Sequence, residues 1–343
     1  MIIGVDTGYG FTKFATAGGR RGSFPSAVAP APRGNGDLAK SMGTKALKHR
    51  LSVQMDGAQK PGEYLVGQSA LSIGASRTWD ASGASRADYA LLVLTALALA
   101  NADDDVTLGL GLPLAVYLDR DERKALRNRI TGMKAHVKVD AKETRDVVVN
   151  SVRVFPQAIG AFFDAISSPG GERLVGQAVA VLDVGYKTSD YLLLTPTPEG
   201  ISVPDESRSG SVGVGKSNAI DAVRAYVAQE SGMTSLPPES LVETALANGG
   251  MITVRGKQFD IRPPYQAALQ STASKIESEL RRVLGDAVDY LATVLVAGGG
   301  GQAIKPYLHL PSVQIAGDPI YANAKGFTAM LVQHASQSAK PLT

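Results

Sequence analysis

The chain of 343 residues contains no cysteine, so disulfides, thiolate metal sites and cysteine nucleophiles are all excluded. Aromatic residues are sparse at 6%, with a single tryptophan, and no stripe of aromatics interleaved with basic residues suggests base stacking or sequence-specific reading of nucleic acid. Charge of one sign is also lacking. The 35 basic residues nearly balance the 32 acidic ones, and they are scattered apart from pairs such as Arg20-Arg21 and Arg281-Arg282. The most apolar stretch, Tyr89 to Ala100, is too short to span a bilayer and reads as a buried helix. The amino terminus, Met1-Ile2-Ile3-Gly4-Val5-Asp6, lacks the basic segment and long apolar run of a signal peptide, so a cytoplasmic location is expected.

What is present is apolar residue and glycine. A 44% hydrophobic fraction with 20% charge fits folded domains, and the length suits two of them. The 37 glycines point to tight turns and ligand-facing loops.

Strands and helices alternate in both halves. The first half reads as a strand at Ile2–Val5, a glycine turn and a returning strand through Phe14. An exposed excursion over Arg33–Lys60, a strand at Glu63–Gly67 and an apolar helix over Arg86–Ala100 follow. The buried strand Val106–Leu112, a charged helix over Asp119–Ile130 and strands near Ala135–Val139 and Arg145–Val154 complete it. In the second half a helix at Gln157–Ile166 precedes strands Ala178–Leu182 and Tyr191–Leu194. A helix at Asn218–Ser231, an excursion over Gly232–Pro264, a long helix at Tyr265–Leu284 and a strand at Ala292–Ala297 come next. A strand at Ser312–Ile315 and a closing helix from Tyr321 to Ser336 end the chain. Both halves open with strand, acidic glycine turn, strand, which suggests an internal duplication.

Three glycine turns carry the chemistry. In Asp6-Thr7-Gly8-Tyr9-Gly10-Phe11-Thr12-Lys13, two glycines let backbone amides converge on an anion, an Asp at the strand end can hold a hydrated divalent cation, and Lys13 can neutralise phosphate. Alone, this is an ordinary hairpin as readily as a phosphate site. Asp183-Val184-Gly185-Tyr186-Lys187-Thr188-Ser189-Asp190 repeats the design after an apolar strand. Two such hairpins facing each other would offer two carboxylates and two amide nests to one polyphosphate with its Mg²⁺. Gly298-Gly299-Gly300-Gly301-Gln302 follows a buried strand directly, so a flat base or ribose can press on its backbone.

These motifs resemble the phosphate and adenosine motifs of the actin, sugar-kinase and heat-shock-chaperone ATPase superfamily. Within it the chain is most similar to ParM-like and archaeal actin-like proteins. Tyr64-Leu65-Val66-Gly67, Gly111-Leu112-Pro113, Asp183-x-Gly185-x-x-Thr188-x-Asp190 and Asn323-Ala324-Lys325-Gly326-Phe327 carry that similarity over nearly the whole length.

The resemblance implies an α/β, two-domain actin-like fold of duplicated ribonuclease H-like type, with a nucleotide cleft between the domains. The first domain would span residues 1–155, with an insertion at about 29–80 and the C-terminal helix 319–343; the second would span 156–318, with an insertion at about 232–264. It implies an ATPase that polymerises into nucleotide-dependent filaments for plasmid or DNA segregation, with ATP or ADP and Mg²⁺ as cofactors. Asp6 and Asp183 would hold the Mg²⁺ through water, Lys13 would touch the β- and γ-phosphates, and Gln157 would orient the attacking water. Thr7, Gly8, Tyr9, Gly10, Gly185, Tyr186, Lys187, Thr188, Gly298, Gly299, Gly300 and Gln302 would line the nucleotide, with Lys216 and Lys275 near ribose or adenine. The expected partners are further copies of the chain and a DNA-binding adaptor; neither a membrane nor direct sequence-specific nucleic-acid binding is expected. Tyr9 departs from the small polar residue common in actins, and Tyr186 and Lys187 from the acidic residue and glycine of eukaryotic actins.

Two rival readings share the fold: a small-molecule kinase, for which no sugar-binding cluster appears, and a nucleotide-regulated scaffold with negligible turnover. A third motif, Gly210-Ser211-Val212-Gly213-Val214-Gly215-Lys216-Ser217, matches the Walker A pattern letter for letter. Polar residues precede it where that loop needs a buried strand, so the segment is read as the opening of a helix that lines the nucleotide cleft.

Overall fold

The computed structural model describes residues 1–32, 49–56, 61–75, 77, 87–103, 105–140, 142–197, 200–201 and 206–338. Contacts divide the chain into two units, Met1–Ser168 with Tyr321–Thr343, and Pro169–Ile320.

Among the described residues, the first unit is built on nine strands: β1 (Ile2–Thr7), β2 (Phe11–Thr16), β3 (Arg21–Pro25), β4 (Val28–Pro30), β5 (Arg50–Met55), β6 (Gly62–Val66), β7 (Val106–Leu112), β8 (Lys134–Val139) and β9 (Arg145–Pro156). Their order is β3-β2-β1-β7-β9-β8-β5-β6-β4. β1 and β2 form an antiparallel hairpin in which Asp6 opposes Lys13. β1, β7 and β9 run parallel to one another. Short helices α1 (Gln68–Ser72) and α3 (Leu114–Leu118) accompany the longer α2 (Ala87–Leu99), α4 (Arg120–Ile130) and α5 (Ile159–Ile166).

Helix α2 is apolar on nearly every side, which suits it to burial. Its Leu92, Val93, Leu94, Ala96 and Leu97 join Ile3, Val5, Leu108 and Leu110 in one core. Helix α4 begins at an Asp119 side chain that accepts from the Asp121 and Glu122 amides, and it ends with Arg127 and Arg129, so cap and dipole agree with its charge order.

The second unit holds β10 (Val179–Val184), β11 (Ser189–Leu194), β12 (Pro196–Thr197), β13 (Gly200–Ile201), β14 (Gly210–Val212), β15 (Met251–Val254), β16 (Lys257–Asp260), β17 (Thr293–Ala297) and β18 (Val313–Ile315). Five of these form a sheet in the order β14-β11-β10-β17-β18. Helices α6 (Lys216–Ser231), α7 (Glu239–Ala247), α8 (Arg262–Leu284) and α9 (Gly301–Ile304) complete the unit. Leu269, Ala273, Ile276 and Leu280 of α8 pack on Leu182, Val294 and Val296 of the sheet. α10 (Ala322–Ser338) returns to the first unit.

The two sheets share one plan. In each, a hairpin lies antiparallel to an outer strand on one side and parallel to two strands on the other. The expected duplication is therefore present in the strand order itself.

Two expectations are corrected. Of the excursion at Arg33–Lys60, residues 33–48 and 57–60 lie outside the described residues, as do 76 and 78–80 of the proposed insertion, but Arg50–Met55 is a paired strand, β5, between β6 and β8. Its Leu51 and Val53 are core residues; three alternating positions amid Gly and Lys are too short a signal to stand out. The segment Gly232–Pro264 contains helix α7 and the β15–β16 hairpin around a second small core with Ile220, Val223, Val242 and Ile252. That hairpin turns through Arg255 and Gly256, both at positive φ, so an Arg-Gly pair does the work usually signalled by Asn-Gly.

Candidate nucleotide site

Asp6 is the fifth residue of β1 and Asp183 the fifth of β10, each on a strand whose apolar neighbours bury it. The two turns close identically: Gly8 N–H donates to Phe11 O at 3.1 Å, and Gly185 N–H to Thr188 O at 2.9 Å. The hairpins differ in what faces the aspartate. Asp6 lies opposite Lys13, whose ammonium reaches its carboxylate at 2.9 Å, whereas Asp183 lies opposite another carboxylate, Asp190.

Around the first hairpin, Asp6 is 2% exposed and accepts a second hydrogen bond from Gln157 Nε2 at 2.6 Å. Gln157 follows the end of β9 and is itself buried; its amide donates to Leu112 O at 2.7 Å. Asp6, Lys13 and Gln157, singled out separately in the sequence, thus form one cluster. Ser26 braces the turn, donating its hydroxyl to Gly8 O at 2.7 Å and its amide to Gly10 O at 3.0 Å. Beneath the turn, the Tyr89 phenol of α2 lies against Thr7 and Asp6, and burial pushes its pKa above the ordinary tyrosine range. Gly8 and Gly10 are half-buried and buried, and Tyr9 is half-buried.

Ala158, next after Gln157, has φ 72° and ψ −39°. A positive φ in a residue with a Cβ costs on the order of 1–3 kcal/mol and persists only where its surroundings hold it. Here the Asn323 Oδ1 of α10 accepts from the Ala158 amide at 3.1 Å and the Ala161 amide at 3.2 Å.

In the second unit, the Asp183 hairpin, the glycine loop and the start of α6 converge. A Cβ at Gly298 would fall 2.3 Å from Asp183 Oδ1, and one at Gly300 would fall 2.8 Å from the Val184 side chain. A Cβ at Gly299 would meet nothing within 4 Å, so that backbone faces open space. Gln302 is exposed on α9. The Tyr186 phenol is turned to Glu239 of α7, 2.8 Å away, while Lys187 is exposed and Thr188 half-buried. Lys275 lines a shallow cavity of about 450 Å³ on the solvent side of α8, together with Val212, Ser274 and Ser278.

The Walker-like segment does not form a phosphate loop. Its first three residues are β14, paired with β11 at the sheet edge. The Lys216 and Ser217 amides, which such a loop would aim at phosphate, donate to Gly185 O at 3.1 Å and Tyr186 O at 2.7 Å. The Gly215 amide is taken by Asn218 Oδ1 at 2.8 Å. Lys216 itself is half-buried at the start of α6.

Sequence reasoning missed Ser26, Tyr89, Ala158 and Asn323. Ser26 and Tyr89 sit in strings with no motif, and Asn323 lies within a recognised signature that does not reveal what its side chain touches.

The profile described as "Actin like proteins N terminal domain" matches residues 4–160, and "Archaeal actin homologue MreB-like, C-terminal" matches residues 181–309. An archaeal actin homologue of Thermoplasma acidophilum is 27% identical over 313 residues, covering 89% of each chain. Among solved structures, a 15-stranded ParM filament from Clostridium botulinum is 21% identical with a TM-score of 0.81, covering 97% of this chain and 99% of that one. An archaeal actin homologue in complex with ADP is 23% identical with a TM-score of 0.73, at the same coverage. The two profiles, one for each half and together spanning most of the length, with the duplicated hairpin sheets, mark this two-domain α/β chain as an actin-like protein, its second half of the archaeal MreB-like actin type.

Proposed function

We propose that the chain is an ATPase that binds Mg-ATP and polymerises into nucleotide-dependent filaments that move DNA, with an adaptor protein linking filament to DNA. The observation that carries this reading is the repeated hairpin with a buried aspartate, joined in the first unit to Lys13 and Gln157. The filament form of one structural relative and the ADP bound to another support it.

The residues fit the ligand. Carboxylate oxygens are the hard donors that a hydrated Mg²⁺ takes, and Asp6 and Asp183 are held at strand ends with little freedom. Mg-ATP, when bound, supplies the electrophilic γ-phosphorus and the metal charge that offsets the developing negative charge. The turns of both hairpins would present amides to phosphate, with Thr7 and Tyr9 in the first and Lys187 and Thr188 in the second beside them. Gly298 to Gly300 would receive the adenosine, with Gln302, Lys216 and Lys275 at its margin.

Gln157 fits the orienting role in a particular way. Its Nε2 is engaged by Asp6, which leaves Oε1 to accept a hydrogen bond from a water. The amide fixes that water's direction and takes no proton from it, as the loose transition state of phosphoryl transfer requires. Lys13 balances Asp6 until phosphate competes for its charge.

Phosphate release and sedimentation, measured with ATP, ADP and no nucleotide, test the proposal. ATP is expected to give pelletable polymer and steady phosphate release, and Gln157→Ala to slow release by roughly 100-fold while ATP still binds. A wild-type protein that stays monomeric and releases no phosphate with Mg-ATP refutes it.

A further inference from the structure

Gln157 is held from more directions than a surface glutamine needs. Its amide is bonded to Leu112 O and its carboxamide to Asp6. Its successor Ala158 is fully buried and sits at a φ that alanine avoids. The group that fixes this turn comes from the far end of the sequence. Asn323, 4% exposed in the first turn of α10, receives both the Ala158 and the Ala161 amides on one oxygen. The seat is tight: a Cβ on Gly160 would fall 2.5 Å from Asn323 O, so α10 and the start of α5 are in backbone contact.

We infer that Asn323 is a positioning residue for hydrolysis: by clamping the strained Ala158 turn it aims the Gln157 carboxamide at Asp6. This rests on the proposed role of Gln157. Without the acceptor oxygen, Ala158 relaxes toward ordinary φ, and the peptide plane carrying Gln157 rotates with it. A glycine at 158 would hold the same φ without strain but would let the turn sample others, so alanine under a clamp gives a narrower aim. A plain helix cap would serve α5 and nothing else, and the two roles differ in what they predict.

The test uses the full chain carrying Asn323→Ala, Asn323→Asp or Ala158→Gly, well below each melting temperature. The readouts are kcat and KM for Mg-ATP and the side-chain amide resonance of Gln157, assigned by its loss in Gln157→Ala. Asn323→Ala is expected to lower kcat by roughly 10-fold or more with KM nearly unchanged, since small misplacements of a reacting group are costly. Asn323→Asp keeps both acceptor bonds at a helix amino terminus that favours negative charge, so it retains the rate. Ala158→Gly lowers kcat without lowering the melting temperature. The Gln157 resonance moves in Asn323→Ala and stays in Asn323→Asp. A folded Asn323→Ala with wild-type kcat and an unmoved resonance overturns the inference and leaves Asn323 a cap. If that variant does not fold, Ala158→Gly decides: a wild-type rate and resonance there overturn the inference equally. A wild type without turnover whose Gln157 resonance still moves in Asn323→Ala refutes hydrolysis but not the clamp.

Discussion

Substituting Gly326 by alanine tests a close approach of two helix backbones in the first unit. A Cβ there would lie 1.8 Å from Gly160 O, 2.4 Å from its carbonyl carbon and 2.6 Å from its Cα, all backbone atoms of α5 that no rotamer change can move aside. Ordinary contact requires the two helices to part by roughly 1.5 Å. Such overpacking costs about 1–3 kcal/mol. The shift also stretches the Asn323 bonds to Ala158 and Ala161, now 3.1 and 3.2 Å, each worth about 1 kcal/mol. It disturbs the Lys325–Asp164 ion pair at 2.8 Å and the Phe155–Phe327 stack, whose centroids are 5.5 Å apart. Against this, alanine in a helix is better than glycine by about 1 kcal/mol. The net loss is roughly 2–4 kcal/mol, which lowers the melting temperature by about 5–12 °C in a unit of this size. Thermal unfolding followed by circular dichroism measures it, with Gly213→Ala as control, where an added Cβ meets nothing within 4 Å and the change stays within about 2 °C. A Gly326→Ala protein that melts with the wild type refutes the helix contact and the packing argument built on it.

Other outcomes follow from the second unit. Lys216→Ala is expected to raise KM for ATP by roughly threefold with kcat unchanged, because its backbone amide, bonded to Gly185 O, survives the substitution; abolished turnover would restore the phosphate-loop reading. Asp260 is hydrogen-bonded by the Arg262 side chain and amide, which hold its pKa down at about 2. A depressed carboxylate adds stability above its unfolded value and loses it as pH falls toward 2, so Arg262→Gln should move the Asp260 titration, read by carboxyl NMR, back toward about 4.

The strand and helix pattern was legible wherever apolar runs were long. Val106–Leu112 and Val179–Val184 follow directly from their composition, and the helix ending at Leu284 from apolar residues such as Leu269, Ile276 and Leu280 at helical spacing. The hairpins were legible because aspartate and glycine recur at the same spacing in both halves. The environment of Gln157 was not. Ala158 carries no sign of its positive φ, and the Asn323 side chain reaches it across 165 residues that no local period connects. The alternate glycines of β7 show the same limit. They read as part of a buried strand, but nothing in the string shows that Gly109 and Gly111 leave room for Phe327 of α10, where a Cβ at Gly111 would fall 2.6 Å from its ring.

The hydrogen bonds from Lys216 and Ser217 to the second hairpin have a mechanical consequence. They fasten the tip of that loop to the end of a sixteen-residue helix, α6, which packs on α8, on the sheet core through Ala219, and on the small core beneath α7. The Tyr186 bond to Glu239 adds a second tether between loop and α7. The hairpin tip, the first turn of α6 and α7 are thus tied into one mechanical unit, in which a displacement at Gly185 would be felt at the small core.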